Sequence, residues 1–282
     1  MIACRRYRSA PAAGDLSNDR KRLAEFKPLF SVANGRAVEK LPTDSLFSDG
    51  VLETMRFDGG RVPLLPWHLA RLRKYVHVDE RELSKALQEA DNFSRSRAGP
   101  LVWRLRAGRA GAGSQLDLSV SPLDSLPASL TVPGVRLYPC KTRFTWQDAS
   151  DGRKALQRAR YHAARSEFSA CQDPYFDGIL CDPSGFVIEG CRTNLLLYID
   201  GKWCTPDLSE FGVRGVMLQW LTEQISVTPV RLMLADLMSS AQEVAVCNAL
   251  RGVLPVSAIG SHGFDCGANT KALQSLIKQK LW

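Results

Sequence analysis

The stretch GFVIEGCRTNLLLYI, residues 185–199, constrains the fold of this chain more than any other. Two apolar strand-like runs, Phe186-Val187-Ile188 and Leu195 to Ile199, flank one carboxylate, Glu189, and a turn. An acid at the end of a buried run is costly unless a cation or a strong donor meets it. Glu189 therefore needs a partner. Read from these residues alone, a glutamate facing solvent, or one pairing with nearby Arg192, is the simpler account.

The neighbouring segments repeat the strand rhythm: FDGILCD before it and KWCTP after it. A helix is expected over about Lys154 to Ala170, and another opens near Gly215. EVAVCNALRGVLPVSAIG predicts two strands around a tight turn, and KALQSLIKQKL a closing helix. The first half reads differently. LFSVANGRAV contains the turn signal Asn34-Gly35, and VLETMRF, a turn at Asp58-Gly59-Gly60, and VPLL predict a hairpin. A helix follows from Pro66, with Leu69, Leu72 and Tyr75 on one face. A second runs over about Glu80 to Phe93. The strand candidates LVWRLRAG, QLDLSVSPL and SLTVPGVRLYP complete an α+β unit.

The chain has 282 residues, enough for two α/β domains with a cleft between them, a preferred place for ligands. The expected division is an N-terminal extension over 1–28, a smaller α/β domain over 29–143, a linker over 144–153 and a larger domain over 154–282. No apolar run approaches the ~18 residues of a membrane span. The Arg-rich start lacks the apolar core of a secretory signal. Eight cysteines with no C-x-x-C pair imply free thiols in a reducing, cytoplasmic setting, with no metal site. The formal charge of +8 allows nucleic acid or an anionic small ligand. The arginine clusters, such as RLRAGRAG, are short and no nucleic-acid motif frames them, so a small anionic partner is favoured over nucleic acid.

Four separated segments carry a resemblance. They are SDGVLETMRF (48–57), PWHLARL (66–72), KALQR (154–158), and a series comprising VIEGCRTN, CTP, GVRGVM and VCNALRGVLPV. In this order they resemble the class-IV, or fold-type-IV, pyridoxal-phosphate enzymes, a family of branched-chain aminotransferases, D-amino-acid transaminases and 4-amino-4-deoxychorismate lyases. The resemblance runs from about Leu29 to the C-terminus. It implies a two-domain α/β (α+β) enzyme with its active site in the interdomain cleft, pyridoxal 5'-phosphate as cofactor, and a homodimer.

Site roles follow from the same resemblance. Lys154 is the expected catalytic residue and cofactor attachment point, and both tasks need a neutral amine, with a pKa well below its usual ~10.4. Glu189 is expected to hold the proton on the cofactor's ring nitrogen. Arg71, whose planar fork suits phosphate, and Gly215, Val216 and Met217 at a helix start are expected to cradle the phosphate. Asn248 is a cofactor candidate. Arg106, Arg109, Arg192 and Ala249 are substrate candidates. His68 reads as a packed helix residue, while Glu53 and Thr54 lie on a cleft-lining strand without an assigned task.

Ser48, Leu52, Ala107 and Leu218 depart from the family pattern in ways that touch the substrate pocket more than the cofactor core. The terminal VCNALRGVLPV and the available arginines favour the lyase, which releases pyruvate and forms 4-aminobenzoate for folate. An amino-acid transaminase is the alternative, and a basic nucleic-acid-binding protein a third reading.

Overall fold

A computed structural model describes residues 28–110, 113–149, 152–171 and 174–282. The expected extension therefore lies almost wholly outside the described residues. The chain opens with β1 (Phe30–Ala33) and β2 (Arg36–Ala37). Asn34 and Gly35 between them both take positive φ, 45° and 69°, as the tight hairpin requires. Next come β3 (Ser48–Phe57), α1 (Leu65–Tyr75) and α2 (Glu80–Arg95). Strands β4 (Leu101–Ala110) and β5 (Gly113–Pro122) complete a five-stranded sheet in the order β2-β1-β5-β4-β3.

Alternation divides this sheet into two unlike faces. Val51, Met55, Trp103, Leu105, Leu118 and Val120 pack with Leu72, Leu83, Ala86 and Ala90 of the helices. The other face is polar. The antiparallel register sets Thr54 across from Arg104 and Arg104 across from Ser119, and Arg106 across from Asp117. Asp117 and Ser119 are nonetheless buried, so this face looks into the protein.

A short helix, α3 (Ala128–Thr131), leads to β6 (Val135–Arg143), α4 (Ala159–Ser166), β7 (Asp177–Cys181), β8 (Val187–Gly190), β9 (Asn194–Ile199) and β10 (Lys202–Pro206). Then follow α5 (Val216–Gln224), β11 (Val227–Val230), α6 (Leu234–Ser240), β12 (Glu243–Asn248), β13 (Gly252–Ile259), β14 (His262–Gly263) and α7 (Ala268–Lys280). The second sheet runs β11-β10-β9-β12-β13-β6-β7-β8, with β14 paired to β13. Leu196, Ala245 and Val253 face one buried cluster, while Leu195, Leu197, Val244 and Val246 face another. A sheet covered on both sides explains the unbroken apolar runs.

Strands β8 and β9 do not pair, although only residues 191–193 join them. Five strand spacings of ~4.8 Å would separate them by roughly 24 Å in a flat sheet. Four Cα steps reach at most about 14 Å. The sheet must curl, and the curl brings Glu189 back beside Asn194.

Four expectations need correction. VPLL forms no strand; a single bridge, Asp58 to Arg61, closes the turn and α1 begins at once. SLTVPGVRLYP is helical at its start. Its strand β6 pairs in parallel with β13 and β7, so the change of sheet falls between β5 and β6, ahead of the expected joint at 144–153. The helix expected from Lys154 begins at Ala159, because residues 154–156 are extended against β3. The two sheets are tied by Arg56 Nη1 donating to the Leu250 carbonyl (3.2 Å) and stacking on Trp282, and by Arg61 Nη2 donating to Leu281 (3.1 Å).

Candidate active site

Lys154 lies on the segment that joins β6 to α4. The Leu52 N–H donates to the Lys154 carbonyl (3.0 Å) and the Leu156 N–H to the Gly50 carbonyl (2.8 Å), making a short antiparallel pairing with β3. A side chain at Gly50 would lie 2.9 Å from Phe47 Cβ, so glycine permits this close approach. The pairing holds Lys154 on the polar face of the first sheet, where Nζ donates to Thr54 Oγ1 at 3.2 Å. Burial, and then the Arg71 charge, push the amine down to about 7; Arg158 and Arg104 add to this, against Glu53. At neutral pH a large share of the amine is uncharged.

On the opposite face of β3, Glu53 takes three short hydrogen bonds: Arg71 Nε (2.7 Å), Arg71 Nη2 (2.6 Å) and His68 Nδ1 (2.6 Å). All three residues are buried. Burial alone would raise the carboxyl, but Arg71 and His68 overcome it and hold Glu53 at about 2. An ionised Glu53 requires the proton of His68 on Nδ1, and burial keeps that imidazole neutral.

Glu189, at the end of β8, is 3% exposed. Its partners are donors from three segments: the Tyr161 hydroxyl (2.6 Å), the Val213 N–H (3.1 Å) and, more distantly, the Asn194 amide (3.4 Å). Burial pushes it up to about 7 against these hydrogen bonds. The Arg158 guanidinium lies 3.8 Å above the Tyr161 ring and also acts on both Glu189 and Lys154 electrostatically. Arg192 is not its partner: that side chain donates to the Phe176 carbonyl and lies beside Asp177.

One segment, 212–217, links these groups. Gly212 takes φ +83°, turning the chain so that Val213 meets Glu189. The Arg214 carbonyl accepts from Arg71 Nη1 (2.8 Å), and its N–H donates to the carbonyl of Gly152 (3.2 Å), two residues before Lys154. Gly215 then caps α5, and no side chain caps that helix, so its first-turn N–H groups are open to an anion. A Cβ at Gly215 would fall 2.0 Å from Asn194 Oδ1. Val216 and Met217, in the first turn, are buried.

The structure thus gathers Arg71, Lys154, Glu189 and the 215–217 turn around one region. Asn248 instead closes its own turn, its Oδ1 accepting from the N–H groups of Leu250 (3.1 Å) and Arg251 (2.9 Å), with Nδ2 reaching the Arg192 carbonyl at 3.4 Å. Ala249 in that turn packs against the core. Arg106, expected to meet substrate, is already committed: both arms grip Asp117 at 2.7 Å, and further donors reach Asp44 (2.5 Å) and the Pro42 carbonyl (2.7 Å). Arg109 is exposed at the far end of β4, across from Ser48 and Ser114. Tyr161 is a site residue that the sequence pattern does not mark. Its signal was the unmet donor requirement of Glu189, but nothing local said which hydroxyl would supply it.

Among the described residues, no cluster of His, Cys, Asp and Glu is placed to hold a metal, and no helix is long and apolar enough to cross a membrane. A half-neutral lysine, a buried acid and an uncapped helix start beside an arginine suit the three polar ends of a phosphorylated pyridine aldehyde. Fold and site together define an enzyme built around such a cofactor.

The comparisons agree. The profile of amino-transferase class IV matches residues 50–259. An aminodeoxychorismate lyase of Vibrio harveyi is 35% identical over half of this chain; that match spans 54%, about half, of the relative's own length. The crystal structure of 4-amino-4-deoxychorismate lyase from Pseudomonas aeruginosa superposes with a TM-score of 0.77 at 29% identity, covering 89% of this chain and 99% of that one. A branched-chain aminotransferase from Thermoproteus uzoniensis shares the fold at 20% identity and TM-score 0.77, covering 90% and 94% of the two chains. The chain belongs to amino-transferase class IV, a family of pyridoxal-phosphate-dependent enzymes.

Proposed function

We propose that the protein is a 4-amino-4-deoxychorismate lyase, releasing pyruvate and forming 4-aminobenzoate for folate. The observation that carries this reading is the Lys154 amine, brought to about 7 by burial and arginine charge and held by Thr54. The choice of lyase over transaminase is supported by the Vibrio harveyi and Pseudomonas aeruginosa lyases and by the terminal VCNALRGVLPV.

Pyridoxal phosphate, when bound, supplies an electron sink for charge left at the carbon next to the amine. Lys154 would hold it covalently, Glu189 would face its ring nitrogen, and Arg71 with the start of α5 would face its phosphate. Once the substrate amine has taken its place there, the freed and uncharged Lys154 amine would remove the proton from the substrate's amine-bearing carbon. The bond from the ring to the enolpyruvyl oxygen breaks, pyruvate leaves after taking up a proton, and the ring becomes aromatic. Thr54 orients the amine during this transfer.

We read the enzyme as a cytoplasmic homodimer. The homodimer rests on the family resemblance, while the free thiols of the seven described cysteines fit a reducing compartment. Purified protein given 4-amino-4-deoxychorismate should yield pyruvate and 4-aminobenzoate with no keto acid added. Product formation only in the presence of a keto-acid acceptor would refute the lyase reading.

A further inference from the structure

Two thiols from different segments meet beside the turn that carries Glu189. Cys191 follows β8 directly, two residues after Glu189, and is 1% exposed. Cys140 belongs to β6 and is half-buried. Strand β7 runs between β6 and β8, and its Gly178 leaves a gap there. A Cβ at Gly178 would overlap Cys140 Sγ and lie 3.3 Å from Cys191 Sγ, so both sulfurs border the space of one missing side chain. Hydrogen bonding with Cys140, and then burial, raise the pKa of the Cys191 thiol. The Cys140 thiol also has two long contacts to carbonyl oxygens, Ala164 at 3.7 Å and Tyr138 at 3.8 Å. The Cys191 backbone is tied to the site. Its carbonyl accepts from Arg158 Nη2 (3.0 Å), the guanidinium that stacks on Tyr161, and Tyr161 donates to Glu189.

We infer that Cys140 and Cys191 form a thiol-oxidation site, closed to a reversible disulfide by hydrogen peroxide, and that closure loosens the hold of Glu189 on the cofactor. The second part rests on the assignment of Glu189 to the cofactor. Peroxide reaches Cys140, the more exposed sulfur. That sulfur attacks one peroxide oxygen, the O–O bond breaks, and water leaves with the thiol proton, giving a sulfenic acid. The Cys191 sulfur then attacks the Cys140 sulfur. The S–O bond breaks and the hydroxyl leaves as water with the Cys191 proton. The two sulfurs lose two electrons, and the peroxide becomes two waters. Strands on either side of β7 would lie roughly 10 Å apart in a flat sheet, whereas a disulfide spans at most ~7 Å between Cα atoms. Closure must therefore draw the 190–193 turn towards β6. The register of β6 against β7 already shifts between Pro139 and Arg143, and Gly178 has no side chain to resist. A disulfide held against such strain is easily reduced, as a reversible modification in a reducing compartment requires. The same movement takes the Cys191 carbonyl from Arg158 and disturbs Tyr161 and Glu189.

The test uses the full-chain holoenzyme of wild type, Cys140→Ser and Cys191→Ala, reduced and then treated with graded hydrogen peroxide. After the remaining thiols are blocked, peptide mass spectrometry should find a Cys140–Cys191 cross-link in wild type. The cross-link should be absent from both variants and removed by dithiothreitol. Absorbance titration should show cofactor retention weakened by about 10-fold or more in oxidised wild type. Dithiothreitol should restore it, and peroxide should leave retention in Cys140→Ser unchanged. No such cross-link, or one to Cys171 in its place, overturns the inference. So does peroxide that weakens retention equally in Cys140→Ser, or a cross-linked wild type that retains cofactor undiminished. Should Cys191→Ala not fold, Cys140→Ser decides alone. The cross-link needs neither substrate nor turnover, so a failed lyase assay refutes the lyase reading and leaves this one standing.

Discussion

Replacing Glu53 with Gln removes one charge from the most tightly paired buried group in the site while keeping its shape. Glu53 lies at about 2 in the fold against 4.5 for an ordinary glutamate. That difference of about 2.5 pH units, at 1.36 kcal/mol each, corresponds to about 3.4 kcal/mol of stability at pH 7. The figure agrees with the ~3–5 kcal/mol expected when a buried ion pair loses one partner. Here Arg71 would keep its charge while 8% exposed, with only neutral groups, the new amide and the Arg214 carbonyl, to meet it. At ~2–4 °C per kcal/mol for a chain of this size, the thermal midpoint of Glu53→Gln should fall by roughly 7–14 °C. The pH dependence has a fixed sign. A carboxyl with a depressed folded pKa stabilises above its unfolded value and loses that contribution as pH falls towards the folded one. The gap between wild type and variant should therefore be full above pH 5 and close as pH falls from about 4.5 to about 2. Glu53 also raises the Lys154 amine, so the acid limb of the activity profile should move to lower pH in the variant. Thermal denaturation at several pH values, together with that profile, provides the assay. A midpoint within 2 °C of wild type at pH 7, or a gap that does not change down to pH 2.5, would refute this view of the Glu53–Arg71–His68 cluster.

Two further substitutions address the other end of the site. Tyr161→Phe removes the 2.6 Å hydrogen bond to Glu189, a charge-assisted contact of ~1.5–3 kcal/mol. Its loss should raise the Glu189 pKa further and weaken cofactor retention by roughly 10- to 100-fold in an absorbance titration; unchanged retention would remove Tyr161 from the site. Gly215→Ala places a methyl 2.0 Å from Asn194 Oδ1 and must dislodge the amide that holds the Val213 carbonyl. A loss of ~1–3 kcal/mol is expected, with partial recovery in the double variant Gly215→Ala/Asn194→Ala. Strict additivity of the two substitutions would show that they do not meet.

Much of this architecture was legible from local pattern, because strands buried on both faces and helices with one apolar stripe announce themselves. The misreadings share one physical origin. KALQR has helical composition, yet its first residues are extended because Gly50 and Leu52, about a hundred positions earlier, offer backbone partners. VTPV forms β11 although a proline argues against a strand, because the sheet tolerates Pro229 at its edge. Within the site, Glu189 was conspicuous as an acid at the end of a buried run. Its donors Tyr161 and Val213 come from segments that only the curled sheet brings near. Arg104 and Arg106 look interchangeable in RLRAG; the register with Asp117 commits one and leaves the other underpaired.

The central claim is that Lys154, and no other lysine, carries the cofactor across from Glu189. Reduction of the yellow holoenzyme with borohydride, followed by peptide mass spectrometry, tests it directly. The pyridoxyl group should be found on the peptide containing Lys154 and be missing in Lys154→Ala. Labelling of any other lysine, or a colourless protein that turns over 4-amino-4-deoxychorismate, would contradict it.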